Sequence, residues 1–242
     1  MNQPHSTGKV YLVGAGPGAA DLITVRGARL LQQADIVLYD ALVTPEMLAL
    51  CAQAEQISVG KRSGQRSAAQ SYINTLLVES AQRAAIVVRL KGGDPMLFGR
   101  ADEELNALEA AGIDYEIVPG ITTALAAAAS TRQPLTKRGI ARSVALFTSS
   151  TAPDEAEETR IPDCDTLVQY MGGREAMLTA ERMLSRGWSP DLPVMLVENC
   201  SRSDEVIRRV TLQQLAQEPV SATGPVLVMM GEAMRQRINA AR

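Results

Sequence analysis

Arg89-Leu-Lys-Gly-Gly-Asp-Pro-Met-Leu-Phe-Gly-Arg100 is the stretch on which the fold reading turns. An apolar strand, Ala85-Ile-Val-Val-Arg-Leu90, stops at two glycines, an acid and a proline, and a helix follows from Gly99-Arg100 through Glu103-Glu104-Leu105. A glycine pair at the carboxyl end of a buried strand lets backbone approach a ligand, because no Cβ stands in the way. In open α/β sheets that end of the strands is where ligands bind. Asp94 would offer a fixed acceptor to a hydroxyl or amino group, and Lys91 and Arg100 would flank the site with positive charge. A tight Gly-Gly-Asp-Pro turn with no ligand is the plain alternative, and these residues alone do not exclude it.

A second strand end has the same character. Val10-Tyr-Leu-Val-Gly-Ala-Gly-Pro-Gly18 is a short apolar strand running into a glycine-rich turn, and Asp40 closes the next strand, Ile36-Val-Leu-Tyr-Asp40. The pair superficially matches a dinucleotide fingerprint with its ribose-binding acid. The match fails in detail. The third glycine comes one residue early, and Pro17 removes a backbone N–H from the place where a pyrophosphate collects donors. The next helix starts only near Thr24. The loop is shaped to hold something flat or polar without phosphate.

With both motifs in view, the chain resembles the tetrapyrrole methylase family and, within it, the uroporphyrinogen-III C-methyltransferases. The matching segments are Val13-Gly-Ala-Gly-Pro-Gly18, Asp35-Ile-Val-Leu-Tyr-Asp40, Val59-Gly-Lys-Arg62, Ile73-Asn74, Arg89 through Arg100, Val118-Pro-Gly-Ile-Thr122, Pro134-Leu-Thr136, Tyr170-Met-Gly172 and Val197-Glu-Asn199. They run in order along nearly the whole chain. The Gly-Gly-Asp-Pro strand end and Pro-Gly-Ile-Thr are family-level signals; Tyr39-Asp40 followed by Val59-Gly-Lys-Arg62 points to the subfamily.

Composition bounds the reading independently. A chain of 242 residues can bury a sizeable core as one large or two small domains. Apolar residues make up 46% and aromatics only 3%, so the core must be aliphatic. A net charge of −3 supplies no general field for nucleic acid or an anionic membrane. Cys51, Cys164 and Cys200 are odd in number and widely spaced, and the lone His5 is near the N-terminus, so no metal-ligand spacing is present. These features predict a reduced, cytoplasmic protein with no bound metal, no nucleic-acid partner and no membrane partner. Met1 to Gly8 lacks a basic region followed by an apolar run, so no signal peptide is expected, and the Ala-rich run Ala124 to Ala129 is too short to span a bilayer.

Periodicity predicts strands near 9–13, 36–39, 56–59, 85–90 and 115–118, with helices near 24–33, 45–50, 68–83 and 100–111 between them. Gly112 is a plausible helix C-cap. Alternation of strand and helix argues for a parallel sheet. A helix near 122–130 leads to the polar run Ser130 to Gly139, which reads as a connection. Beyond it come strands 143–148, 166–170, 193–197, 205–211 and 225–230, with helices 174–186 and 212–217. Two strands in succession near 194–211 suggest a mixed sheet. The division expected is an N-terminal domain over 1–130, a linker over 131–142 and a C-terminal domain over 143–242. Asp154-Glu-Ala-Glu-Glu158 reads as a solvated surface loop.

The resemblance implies a two-lobed tetrapyrrole methylase fold with the active site in the cleft between the lobes, and a homodimer. It implies S-adenosylmethionine as methyl donor, released as S-adenosylhomocysteine and held in a folded pose, in keeping with the failed dinucleotide fingerprint. Pro17, Gly92, Gly93, Asp94, Leu97, Thr122, Thr123, Met171 and Cys200 would line the donor site by correspondence. Three positions depart from the pattern. Thr123 stands where alanine is common, Cys200 where glycine is common, and Lys137 where the subfamily usually shows histidine. The implied substrate is uroporphyrinogen III, a small-molecule tetrapyrrole with eight carboxylates. Lys61, Arg62, Arg66, Arg89, Lys91, Arg100, Lys137 and Arg138 would supply the local cations, arginine by bidentate pairing, with Arg62, Lys91, Lys137 and Arg138 as the substrate-binding set. Asp40 is the candidate proton acceptor, Lys61 the candidate donor and Arg100 a second candidate catalytic residue. Guanidinium stays protonated, so Arg100 is better suited to anchor a carboxylate, with Glu103 on the same helix face fixing its direction.

The implied reaction is two methyl transfers giving precorrin-2, toward siroheme, cobalamin or heme d1. The alternatives are another family member acting on a later corrin precursor, diphthine or ribosomal RNA, and a nicotinamide-dependent oxidoreductase resting only on the first glycine turn and Asp40.

Overall fold

The computed structural model describes residues 7–60, 70–149 and 160–236, and packing divides the chain into two compact units, Met1–Thr122 and Thr123–Arg242. The first unit is the parallel sheet that strand–helix alternation predicts. Its strands are β1 (Lys9–Gly14), β2 (Ile36–Tyr39), β3 (Glu55–Ser58), β4 (Ile86–Lys91) and β5 (Tyr115–Val118), in the spatial order β3-β2-β4-β1-β5. Every pairing is parallel. A parallel sheet is covered on both faces, so its strands must be apolar on both. Val10, Leu12 and Val87 pack on one side with Leu77 of α3 (Gln70–Arg83) and Leu108 of α4 (Ala101–Ala110). Val13, Val88 and Leu90 pack on the other with Leu31 of α1 (Val25–Gln33) and Met47 of α2 (Pro45–Leu48).

Local chemistry sets the helix ends. Thr24 caps α1 by accepting from Gly27 N at 3.1 Å, and Thr44 caps α2 with Pro45 at the first helical position. Gly112, at φ +66°, ends α4 as expected. The helix expected near 45–50 is α2 continued by a 3₁₀ turn, Ala49–Cys51.

In the second unit, α5 (Thr123–Ser130) precedes β6 (Val144–Thr148), β7 (Thr166–Tyr170), α6 (Gly172–Ser185), β8 (Pro193–Glu198), β9 (Val206–Thr211), α7 (Leu212–Gln217) and β10 (Val226–Met230). The sheet order is β6-β7-β10-β8-β9. Only β6 and β7 are parallel, so the sheet is mixed. Residues 123–130 group with this unit, which differs from the division read off the sequence. The run 131–142 is likewise no free linker: Thr166 Oγ1 donates to Leu135 O at 2.8 Å, and Lys137 and Ala141 form a β-bridge. Tertiary pairing of this kind leaves no local sequence signal. Among the described residues no helix is long and apolar enough to cross a membrane, and no group of three or more His, Cys, Asp or Glu side chains could hold a metal ion.

Candidate active site

The order β4-β1-β5 places three strand exits side by side at the carboxyl edge of the first sheet. The chains leaving them lie in backbone contact. Gly16 N donates to Gly93 O at 3.1 Å, Gly93 N donates to Gly16 O at 2.7 Å, and Ala15 N donates to Lys91 O at 2.7 Å. A Cβ on Gly120 would fall 2.2 Å from Gly93 O and 2.7 Å from Gly14 Cα, so no side chain fits there. Asp94 fastens the third exit: its Oδ2 accepts from Gly120 N at 2.9 Å and its Oδ1 from Met96 N at 2.8 Å. On the neighbouring strand end, Asp40 accepts from Gly92 N through Oδ2 at 3.1 Å and from Leu42 N through Oδ1 at 3.0 Å.

These bonds decide what the glycine loops can bind. The N–H groups of Ala15, Gly16, Gly92, Gly93 and Gly120 all donate to protein acceptors. A pyrophosphate would find none of them pointing at it, whereas phosphate cradles depend on free N–H groups. The site is therefore not a dinucleotide site of the fingerprint type. Gly93 adopts φ +70° and a Cβ built on it meets nothing within 4 Å, so this backbone faces open space. Pro17, Leu97 and Thr122 are half-buried around the exits. A carboxylate has about four acceptor positions, so Asp40 and Asp94 each keep capacity for a further donor.

Arg100 opens α4 in the left-handed region at φ +53°. Its Nε and Nη2 donate to the two carboxylate oxygens of Glu103 at 2.5 and 2.8 Å, and its side chain is 62% exposed. Hydrogen bonding to Glu103 holds the guanidinium above its ordinary value. It carries a fixed positive charge and cannot act as the base.

Two predicted substrate cations are placed otherwise. Lys91 and Arg89 are buried and share Glu104, Lys91 Nζ donating to Oε2 at 2.8 Å and Arg89 Nε to Oε1 at 2.9 Å. The expectation that Lys91 lines the substrate site is corrected, because its charge is turned into the core against a carboxylate. Lys137 Nζ donates to Gln133 Oε1 at 3.0 Å, whereas Arg138 is exposed. Lys61, Arg62 and Arg66 lie outside the described residues.

In the second unit, Thr123 opens α5 and Met171 precedes α6. Tyr170 draws them together, its hydroxyl accepting from Ala124 N at 3.0 Å. Sequence reasoning named Thr123 and Met171 but passed over Tyr170, although it stands in the quoted Tyr170-Met-Gly172 segment. Met171 is left-handed at φ +55° and half exposed. Left-handed backbone also occurs at Phe98, Arg132, Asn199 and Ser201. Such residues gather at ligand sites because the conformation persists only where surroundings impose it. Cys200 departs from expectation. It is 4% exposed, and burial, followed by the charge of Glu205 and a hydrogen bond to it, pushes its thiol up to about 12. Its thiol is therefore largely withdrawn from solvent.

A parallel α/β sheet whose glycine exits bond one another leaves none of those N–H groups for a phosphate, and its family is clear from comparison. The family described as Tetrapyrrole (Corrin/Porphyrin) Methylases matches residues 9–216, and the chain belongs to it. It is similar to siroheme synthase 1 of Serratia proteamaculans, 44% identical over 94% of this chain and 48% of that protein. The chain spans about half the length of the siroheme synthases it matches. The uroporphyrinogen-III C-methyltransferase of Synechococcus elongatus is 40% identical over 96% of each chain. The crystal structure of uroporphyrin-III C-methyl transferase from Thermus thermophilus complexed with S-adenyl homocysteine is 37% identical over 94% of each chain, with a TM-score of 0.81.

Burial of Cys51 and Cys200 has a direct consequence. Iodoacetamide at mildly alkaline pH should label the half-buried Cys164 first in the native protein, with Cys51 and Cys200 reacting only after denaturation. Peptide mass spectrometry reads the order; early labelling of Cys200 would contradict its inward placement.

Proposed function

We propose that this chain is an S-adenosylmethionine-dependent C-methyltransferase that converts uroporphyrinogen III to precorrin-2 by two methyl transfers. The observation that carries the reading is the set of bonded strand exits, with every N–H of Ala15, Gly16, Gly92, Gly93 and Gly120 consumed and open space before Gly93. Such a surface suits a donor that has no phosphate. Likeness to a methyltransferase crystallised with S-adenyl homocysteine supports the same donor. Bound there, S-adenosylmethionine would supply an already activated methyl group on sulfonium to an electron-rich ring carbon.

The protein's own residues then have limited but definite work. Pro17, Gly92, Gly93, Asp94, Leu97 and Thr122 hold and orient the donor, and Thr123 and Met171 belong to the proposed donor set from the resemblance. Holding reacting atoms in line supplies much of the rate acceleration when the leaving group is already activated. Asp40 accepts the proton lost from the substrate, held in place by Leu42 N and Gly92 N. Arg100, oriented by Glu103, pairs with a substrate carboxylate. Arg138 is exposed for the same purpose, and Lys61 and Arg62 belong to the proposed set from the resemblance. Siroheme synthase relatives favour siroheme as the end product. A cytoplasmic homodimer completes the proposal.

Purified protein given uroporphyrinogen III and S-adenosylmethionine should yield a product heavier by two methyl groups, with a monomethylated species early in the time course. If uroporphyrinogen III stays unmethylated while a later corrin precursor is consumed, the substrate assignment fails and the donor assignment stands.

Asp40→Asn keeps size but cannot take the proton. Turnover should fall by about 10²-fold or more, while S-adenosylhomocysteine affinity, measured calorimetrically, stays close to that of the wild type. Wild-type turnover in this variant would leave Asp40 as a backbone clamp only.

A further inference from the structure

Glu104 has no exposed surface, yet nothing about donor or substrate binding calls for it. Both its oxygens are occupied: Oε1 accepts from Arg89 Nε at 2.9 Å and from Gln70 Nε2 at 3.4 Å, and Oε2 accepts from Lys91 Nζ at 2.8 Å. We infer that Glu104, through its buried cluster with Arg89 and Lys91, is the positioning residue that sets the span of the Gly92–Arg100 loop and so the placement of Arg100. The inference rests on the carboxylate-anchoring role proposed for Arg100.

Alternation along β4 puts Arg89 and Lys91 on one face of the sheet, the face covered by α4. Two donors separated by one strand repeat grip two oxygens of one carboxylate. That fixes both the slide of α4 along the sheet and its roll about its own axis, which a single ion pair would not. Arg89 is locked in turn, its Nη1 donating to Leu90 O at 3.1 Å. The aliphatic stem of Lys91 floors the far end of the loop, its Cε lying 3.1 Å from where a Cβ on Gly99 would stand. A second tie runs beside the first: Asn74 Nδ2 donates to Glu103 O at 3.0 Å. The loop leaves the sheet immediately after Lys91 and rejoins regular structure at Ala101, three residues before Glu104. Whatever moves Glu104 moves Arg100.

Stability does not explain this cluster. Two cations face one carboxylate, and burial pushes Lys91 below its ordinary value, with the Arg89 charge adding to the shift. Buried ion pairs replaced by apolar side chains of similar volume commonly leave proteins as stable or more so. What an apolar patch lacks is direction, since dispersion contacts allow sliding that paired hydrogen bonds forbid.

The test is therefore the apolar replacement itself, Arg89→Met with Lys91→Met and Glu104→Leu, in the full chain. Its melting temperature should equal or exceed that of the wild type, and S-adenosylhomocysteine affinity should be kept, because the Gly16–Gly93 bridge and the Asp94 clamp are untouched. KM for uroporphyrinogen III should rise by about tenfold or more, since a displacement of about 1 Å at a contacting group can cost on the order of 10²-fold. In an Arg100→Ala background the same replacement should add nothing. Hydrogen exchange over residues 98–100 needs no substrate and should speed up by about tenfold or more. Unchanged exchange, or a KM penalty that adds in full to that of Arg100→Ala, would overturn the inference. Should the triple variant not fold, Lys91→Met keeps a one-to-one Arg89–Glu104 pair and is read by the same criteria. Absence of any uroporphyrinogen III turnover by the wild type would strike the functional reading, while the exchange result would still decide whether Glu104 sets the loop.

Discussion

Backbone meeting backbone at the exits of β1, β4 and β5 is the constraint on which the first unit depends. Gly14, Gly93 and Gly120 come so close that a methyl group on Gly14 or Gly120 would overlap main-chain atoms. The parallel register puts these three ends level with one another, and the glycines let them close the remaining gap. Once in contact, the exits satisfy each other's hydrogen-bonding groups. A buried N–H left unpaired would cost about 1–3 kcal/mol, so the contact removes a penalty as well as forming a surface. The same contact bears on function: donors engaged within the protein cannot cradle phosphate, although the loops look like a nucleotide fingerprint.

Acids complete the arrangement in ways that their sequence positions only hint at. Asp94 bridges the β4 exit to Gly120, and Asp40 reaches from the end of β2 to Gly92. Each is a structural clamp and, in the functional reading, also faces the reaction. In that reading Asp40 takes the proton and Asp94 holds the donor, each from a strand end bonded to neighbouring backbone. In the second unit, Tyr170 plays the comparable part, tying the start of α5 to the residue before Met171.

Much of the fold was legible because its elements are short, periodic and bounded by Gly, Pro and Thr. Strands expected near 9–13, 36–39, 85–90, 115–118 and 166–170 fall within a residue or so of β1, β2, β4, β5 and β7, since apolar runs of that length stop where a glycine or an acid must turn the chain. The Arg100–Glu103 pairing was also legible, because helical spacing alone brings the two together. The fates of Lys91 and Arg89 were not. A cation beside a glycine turn reads as available, and only the packing of α4 onto β4 supplies the carboxylate that takes it inward. A signal did exist: Ala101, Glu104 and Leu108 share the helical spacing of a buried face, and two cations alternate within an otherwise apolar strand. The burial of Cys200 was not legible either, since a residue's exposure just past a strand end depends on tertiary packing. The residues that group α5 with the second unit act over long sequence separations and leave no local trace.

The central claim is that the β1, β4 and β5 exits are closed on one another before ligand arrives and together present the donor surface. Amide resonances of Gly16, Gly93 and Gly120, followed by NMR during hydrogen exchange and then during titration with S-adenosylhomocysteine, test it most directly. All three amides should be protected in the free protein, and the resonances should shift on saturation while protection persists. Amides that exchange as fast as open loop positions, with resonances unmoved by ligand, would contradict both the closed exits and their role as the donor surface.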